Sequence, residues 1–353
     1  MPSSKPGDNL IHRSRIAVTA FLVLALVLGP GAAAFGSTLA DKRSQAAAVQ
    51  AKIDALIAKQ EIASEEYNAA RERYQAVSAK VAATGRRISQ LQASTARLQT
   101  ALGAQDDALY RDDGGFDLLA ALLSSQTIED FNSTMELIQR IGEQNASTVS
   151  QLKVTEAQTA AEQRVLVAAK ADAAVQQSAM AANRAAVNAR LADQRHLLAT
   201  ISSDIKAILA RQAAAAAAAA AARAHHARVN MGGNPPTSSK GAAAVWWAEK
   251  ALGCRYVWAA SGPTTFDCSG LMMWAYRHVG INLPHFSRAQ INVGSRVSRA
   301  NLEPGDLVFF GSPIHHVGMY IGGGEFIEAP YTGARVRISS LGNRSDYAGA
   351  CRP

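Results

Sequence analysis

Between residues 49 and 109 apolar side chains recur at alternating steps of four and three, through Val49, Ile53, Leu56, Ala63, Tyr67, Ala70, Tyr74, Val77 and Val81 to Ile88, Leu91, Leu98, Leu102 and Leu109. Only Gln60, Thr84, Thr95 and Gln105 interrupt that seam, and no proline falls within it, so the pattern predicts a long coiled-coil helix with Gly85 as its one weak point. Asp112, Asp113, Gly114 and Gly115 then break the helix. The stretch 116–131 carries Leu118, Leu119, Leu122, Leu123, Ile128 and Phe131 without the heptad phase, which reads as small helices at an apolar bend spanning about residues 111–134. A second helical region follows from about Ser133 to Arg228 and grows alanine-rich, with unbroken alanine over 213–222. Two long helices joined by a short bend fold back antiparallel, so residues 37–228 are expected to form a helical hairpin. The apolar bend at its tip has no core to join and is either a self-contained cap or a docking surface for another protein.

Near Met231 the character of the chain changes. Gly232, Gly233, Pro235, Pro236, Ser238, Ser239 and Gly241 mark a linker over 229–243. Beyond it aromatic residues become dense and short runs such as 306–311 and 317–321 read as strands, so residues 244–353 form one compact domain of mixed α+β class.

At the other end, His12, Arg13 and Arg15 precede an apolar run over 16–28, followed by Gly29, Pro30 and the small residues Ala32, Ala33 and Ala34. A helix of that run spans about 20 Å, short of the roughly 30 Å hydrocarbon core. Residues 1–36 therefore read as a secretory signal peptide cut after Ala34 or Gly36, the alternative being an uncleaved anchor. Either way the remainder of the chain is expected outside the cytoplasm. That expectation decides how the charge is read: 36 Lys+Arg against 28 Asp+Glu, a formal +8, suits nucleic acid or an anionic membrane or cell-wall surface equally, and outside the cytoplasm the membrane and wall surfaces remain. Nucleic acid is not an expected partner.

Three cysteines in 353 residues exclude a disulfide-built scaffold, and the Cys and His spacings do not suggest a zinc site, so neither metal nor cofactor is expected. One cysteine has the surroundings of a nucleophile. Asp267-Cys268-Ser269-Gly270 lies between a turn-like stretch, 261–265, and an apolar helix starting near Leu271. Cys268 would sit in the first helical turn, where unpaired N–H groups and the helix dipole favour a thiolate. Downstream, His316, Gly318 and Tyr320 share one face of a strand while Val317, Met319 and Ile321 pack behind it. If Gly322, Gly323 and Gly324 form a three-residue hairpin loop, Gly318 lies opposite Glu328, and Glu328 is diagonal to His316 at about 7–8 Å between backbones, a gap the two side chains close. That pairing is what a base and its orienting group need, with Gly318 leaving room for a ligand. His315 points to the other face and is not given the role.

These residues resemble the NlpC/P60 cell-wall peptidases, which share a papain-like fold. The resemblance covers roughly residues 244–347 and rests on Tyr256-Val257-Trp258, Asp267-Cys268-Ser269-Gly270, Leu283-Pro284-His285-Phe286-Ser287 with Gln290, Pro304-Gly305-Asp306-Leu307 and His316-Val317-Gly318-Met319-Tyr320-Ile321-Gly322, in the family's order. Gly262-Pro263-Thr264-Thr265-Phe266 and Phe326-Ile327-Glu328-Ala329-Pro330 are similar to the Rip-type endopeptidases of actinobacterial walls. The resemblance implies Cys268 as nucleophile, His316 as base and acid, and Glu328 as third member where many relatives carry His. It also implies that Tyr256, Asp267, Ser269 and Ser287 line the substrate cleft, the alternative for Tyr256 being a plain core aromatic, while helix capping explains Ser269 equally well. The implied reaction is hydrolysis of peptidoglycan stem peptides between D-glutamate and the diamino acid, the same fold also serving amidases and acyltransferases. A non-catalytic wall-binding adaptor is the reading from another class. Ala259 and Ala260 stand where relatives usually have glycine, which is expected to narrow the neighbouring cleft. Wall hydrolases of this kind often carry a coiled-coil hairpin that restrains the catalytic domain, and some are activated by a membrane complex of the FtsE/FtsX type. Cys254 and Cys351 bracket the domain and either pair in an oxidising exterior or remain inert thiols.

Overall fold

The computed structural model describes residues 32–110, 114–230, 234–236 and 239–353, so the basic flank and apolar run of the expected signal lie outside the described residues. Four helices build the N-terminal part: α1 (Ala32–Tyr110), α2 (Gly114–Leu123), α3 (Ile128–Thr200) and α4 (Ser203–Asn230). α1 runs through Gly85 as one helix about 120 Å long, and α3 returns beside it for about 110 Å. Its start is capped by Thr127, whose hydroxyl accepts from the Asp130 N–H at 3.1 Å, five residues before the apolar pattern places it. The second helical region is not continuous: Ile201 is extended and α4 begins at Ser203.

That break reverses the chain. Lys42 of α1 pairs with Asp204 of α4 at 2.5 Å, so α4 runs back along α1 in the same direction. Its alanine run is exposed over most of its length and is held by helix propensity rather than packing. At the far end Arg223 pairs with Glu325 of the C-terminal part at 3.1 Å, and Ala224 packs against that part's core. Asp204 to Arg223 and Lys42 to Glu61 are both nineteen residues, about 28 Å of helix. α4 is thus a ruler that brings the C-terminal part against the middle of α1.

The C-terminal part is a six-stranded antiparallel sheet flanked by helices, in agreement with the α+β class. Its elements are α5 (Lys240–Lys250), β1 (Arg255–Tyr256), β2 (Thr265–Phe266), α6 (Cys268–Arg277), α7 (Ser287–Gln290), β3 (Ser295–Val297), β4 (Leu307–Phe310), β5 (His316–Gly322), β6 (Glu325–Glu328), β7 (Arg337–Ser340) and β8 (Tyr347–Arg352). The sheet order is β3-β8-β4-β5-β6-β7, with β1 and β2 as a separate parallel pair. α5 begins inside the expected linker because Ser239 caps it, its hydroxyl accepting from the Ala242 N–H. α6 packs on β5 through Leu271, Met272 and Ala275 against Val317 and Met319, all buried. Tyr276 at its end donates to the Gly305 carbonyl at 2.6 Å.

The β5–β6 hairpin differs from its expected form. Met319 pairs with Ile327 and Tyr320 with Phe326, then the register shifts so that Gly322 faces Glu325. The turn is Gly323-Gly324, both at positive φ, and the extra residue is absorbed as a bulge. The expected register at Gly318 and Glu328 survives because bulge and shorter turn compensate. The space above Gly318 does not admit a ligand, however: a Cβ there would collide with the Phe326 ring, which fills it.

A candidate active site crossed by a helix

Two local features place Cys268. Asp267 caps α6, its carboxylate accepting from the Gly270 N–H at 2.6 Å, so Cys268 is the first residue of the helix. Gly270 is needed because the Ala260 carbonyl, which accepts from the Asp267 N–H at 2.8 Å, occupies the place of a Cβ. Ala259 just before Ala260 adopts φ 59°, a left-handed conformation that costs an alanine about 1 kcal/mol more than it would a glycine.

β5 and β6 place the imidazole and the carboxyl. His316 Nε2 lies 2.8 Å from Glu328 Oε2, and both side chains are fully buried. The other oxygen, Oε1, accepts from Arg337 Nε at 3.0 Å and from the Ser339 hydroxyl at 2.6 Å, both on the adjoining β7. Burial raises the Glu328 pKa, but the His316 contact, Arg337 and Ser339 outweigh it and hold the carboxyl well below its ordinary range. Burial lowers the His316 pKa; Glu61 and Glu328 outweigh that and raise it to about 9.

Glu61 belongs to α1, and it is not alone. The helix lies across the cleft and presents a stripe at 61, 65, 68 and 72, steps of four, three and four on one face. Glu61 Oε1 is 3.3 Å from His316 Nδ1, and Oε2 is 3.8 Å from His315 Nε2. Glu65 accepts from the Cys268 thiol at 3.6 Å, from the Ser269 hydroxyl at 2.8 Å and from the Ser287 N–H. Asn68 donates to Asp267 at 2.9 Å, and Glu72 accepts from the His285 N–H at 3.1 Å. Flanking contacts widen the seat: Gln60 donates to Thr332 at 2.6 Å, Arg288 donates to Glu66 at 2.6 Å, Arg71 donates to the Ala259 carbonyl at 3.2 Å, and Tyr67 meets Trp258 edge-on at 4.9 Å.

This reverses the expected state of the thiol. Burial, then Glu65, Asp267 and Glu61, push the Cys268 pKa well above its ordinary value, so the helix start does not prevail and the sulfur is held as a thiol. Tyr256 is buried beside the same groups; burial first, then Cys268, Asp267 and Glu61, raise its hydroxyl well above the usual range. His285 Nε2 contacts both Asp267 oxygens at 2.9 and 3.1 Å, and Asp267 raises it against the effect of burial. Ser269 and Ser287 sit within the same cluster through Glu65, and Ser269 does not cap α6. The structure therefore gathers all seven residues singled out from the sequence, together with the α1 stripe that the sequence reading passed over. Glu61, Glu65, Asn68 and Glu72 look like the solvated flank of a coiled coil, and only their 4-3-4 spacing, two residues ahead of the apolar seam at Ala63, Tyr67, Ala70 and Tyr74, signals a second buried face. The three cysteines are free thiols; Cys351 donates to the Gln290 carbonyl at 3.2 Å rather than pairing with Cys254. No cluster with the makings of a metal site occurs among the described residues.

Residues 253–348 match the model of the NlpC/P60 family. "Probable endopeptidase p60" of Listeria welshimeri is 49% identical over 90 residues, 25% of this chain and 17% of that protein. "Peptidoglycan endopeptidase RipA" of Mycolicibacterium smegmatis is 40% identical over 98 residues, 27% of this chain and 20% of that protein. The chain thus spans about a fifth of the length of these curated relatives. Among solved structures, the NlpC/p60 domain of the peptidoglycan hydrolase SagA is 35% identical and aligns over 32% of this chain and 98% of that one, with a TM-score of 0.31. The P60 domain of the Mycobacterium avium subspecies paratuberculosis antigen MAP1204 is 30% identical over 32% of this chain and 97% of that one, at a TM-score of 0.30. Through residues 253–348, which match the family model, the chain carries a domain of the NlpC/P60 family.

Proposed function

We infer that the protein is a secreted peptidoglycan endopeptidase that cleaves stem peptides between D-glutamate and the diamino acid, and that its N-terminal helices hold it inactive. The observation that carries the reading is the His316–Glu328 pair on β5 and β6 meeting the same α1 face as the Cys268 thiol at the start of α6. With α1 withdrawn, His316 Nδ1 takes the Cys268 proton, and the thiolate attacks the scissile carbonyl carbon. The tetrahedral oxyanion is stabilised by N–H groups at the start of α6. His316 then gives its proton to the departing amine, leaving a thioester on Cys268, and activates the water that hydrolyses it. Glu328 orients the imidazole through Nε2 and offsets its charge, itself fixed by Arg337 and Ser339. Tyr256, Asp267, Ser269 and Ser287 face the substrate. The relative named as a peptidoglycan endopeptidase supports the substrate class; the extracellular location follows the signal-like N-terminus, and the bond follows the family resemblance.

The seat of α1 supports restraint by the coiled coil. Leu119, Leu123, Ile128 and Phe131 stand exposed at the hairpin tip, about 70 Å along α1 from Glu65, where an activator of the FtsE/FtsX type would bind without touching the cleft. The test is product analysis of purified wall treated with protein in which α1 has been released. New free amine on the diamino acid supports the endopeptidase, intact stem peptides freed from glycan mark an amidase, and full release by Cys268→Ala refutes the nucleophile.

A further inference from the structure

A helix lying over a cleft blocks it by bulk alone, and any side chains of suitable size would serve. The side chains that α1 presents here are not of that kind. Of the residues on its stripe, two carboxylates one helical turn apart reach the two groups between which a proton must pass, Glu65 as the hydrogen-bond acceptor of one and Glu61 as a close charge beside the other, whose Nδ1 makes no hydrogen bond. Glu65 receives the Cys268 S–H, which would otherwise be directed to the imidazole. Glu61 stands 3.3 Å from His316 Nδ1, the ring nitrogen left over once Nε2 is engaged with Glu328 at 2.8 Å. Both ring nitrogens thus face carboxylates, an arrangement suited to the imidazolium and not to a neutral base. We propose that Glu61 and Glu65 form a two-carboxylate lock that interrupts the Cys268-to-His316 proton transfer at both ends, so that the resting protein is disarmed chemically as well as covered.

This inference rests on the peptidase reading of the site and adds to it the residues that regulate it. Glu65 also fills the donors that the substrate would use, Ser269 Oγ and the Ser287 N–H, and so occupies the cleft as an acidic ligand would. The raised pKa of Cys268, to which Glu65 and Glu61 both contribute, agrees with the geometry. Neighbouring acidic residues allow the lock to be separated from docking in general. Glu66 and Glu72 hold the same helix to the same domain through Arg288 and the His285 N–H, yet neither approaches Cys268 or His316.

The experiment uses the full chain and two double variants, Glu61→Gln with Glu65→Gln and Glu66→Gln with Glu72→Gln. Cys268 is alkylated with iodoacetamide at pH 7, its rate followed by peptide mapping to separate it from Cys254 and Cys351, and release of fragments from purified wall is measured in parallel. Far-UV circular dichroism verifies that the helices persist. Removing like charges beside a thiol raises its reactive fraction about tenfold or more. The expected result is at least that gain for the 61/65 variant with fragment release switched on, and under threefold for the 66/72 variant. Equal gains in both variants, or none in either, overturn the lock. Rapid alkylation of the 61/65 variant without any fragment release, when release is also absent from that variant further opened by Ala214→Pro, supports the lock and overturns the peptidase reading.

Discussion

Ala214→Pro in α4 is the substitution that most directly tests whether the helices position the domain. Ala214 is exposed and far from the cleft, so its replacement removes no contact. Proline at that position loses the N–H bond to the Ala210 carbonyl and clashes with it, which costs a straight helix about 3 kcal/mol or bends it by 20° or more. From residue 214 to Arg223 is nine residues, about 13 Å of helix; a 20° bend there moves the Arg223 end sideways by about 5 Å. The contacts to be kept are 3.1 Å between Arg223 and Glu325 at one side and 2.8 Å between Glu65 and Ser269 at the other. They cannot both survive such a shift. If α4 stays straight instead, the closed form alone bears the cost, since an undocked domain tolerates the bend. About 3 kcal/mol then lowers the ratio of closed to open protein about a hundredfold. The assay is iodoacetamide labelling of Cys268 in the full chain, with circular dichroism to verify that α1 and α3 remain helical. Labelling as slow as in the unsubstituted protein would refute the idea that α4 acts as a ruler.

Other expectations follow from the charges of the site. His316 has a folded-state pKa of about 9 against an ordinary 6.5, so the stability it contributes is fully present below pH 6.5 and is lost as pH rises through about 9. Thermal melts of the full chain should therefore show Tm falling between pH 6.5 and 9, by an amount equivalent to at most about 3 kcal/mol; a flat or rising Tm in that window contradicts the assigned environment. Glu328 has the opposite sign, its contribution being present above the ordinary carboxyl range and lost only in strong acid. Glu328→Gln should lower the His316 titration midpoint in nuclear magnetic resonance by about one unit or more, and an unmoved midpoint would show that Glu61 alone sustains it. Cys268→Ala should leave the fold and the melt intact to within about 1 kcal/mol while abolishing fragment release from protein freed by the 61/65 substitutions.

The position of Cys268, the pairing of His316 with Glu328 and the length of the coiled coil were all legible as local pattern. A helix start follows from Asp267 to Gly270, although its cap is Asp267 and not Ser269, strand alternation puts His316 and Glu328 on one face, and a heptad seam needs no tertiary partner to be read. Errors arose where the deciding contact was distant in sequence. The glycine at 318 looked like room for a ligand, but Phe326 fills it once the hairpin closes. The break at Ile201 lies between helix-forming stretches and carries no glycine or proline to announce it, yet it turns α4 back along α1.

The thiol is the sharpest case. By sequence alone Cys268 stands at a helix N-terminus with a base available downstream, and those features predict a reactive thiolate. In the folded chain Glu65, two hundred and three residues earlier, accepts its proton's hydrogen bond, and Glu61 takes the imidazole. Sequence determines which groups can do the chemistry, because residue type and local backbone set what each can donate or accept. Tertiary structure decides whether they do it, because burial and the charges of a distant helix shift the protonation of both partners by more than a helix end can.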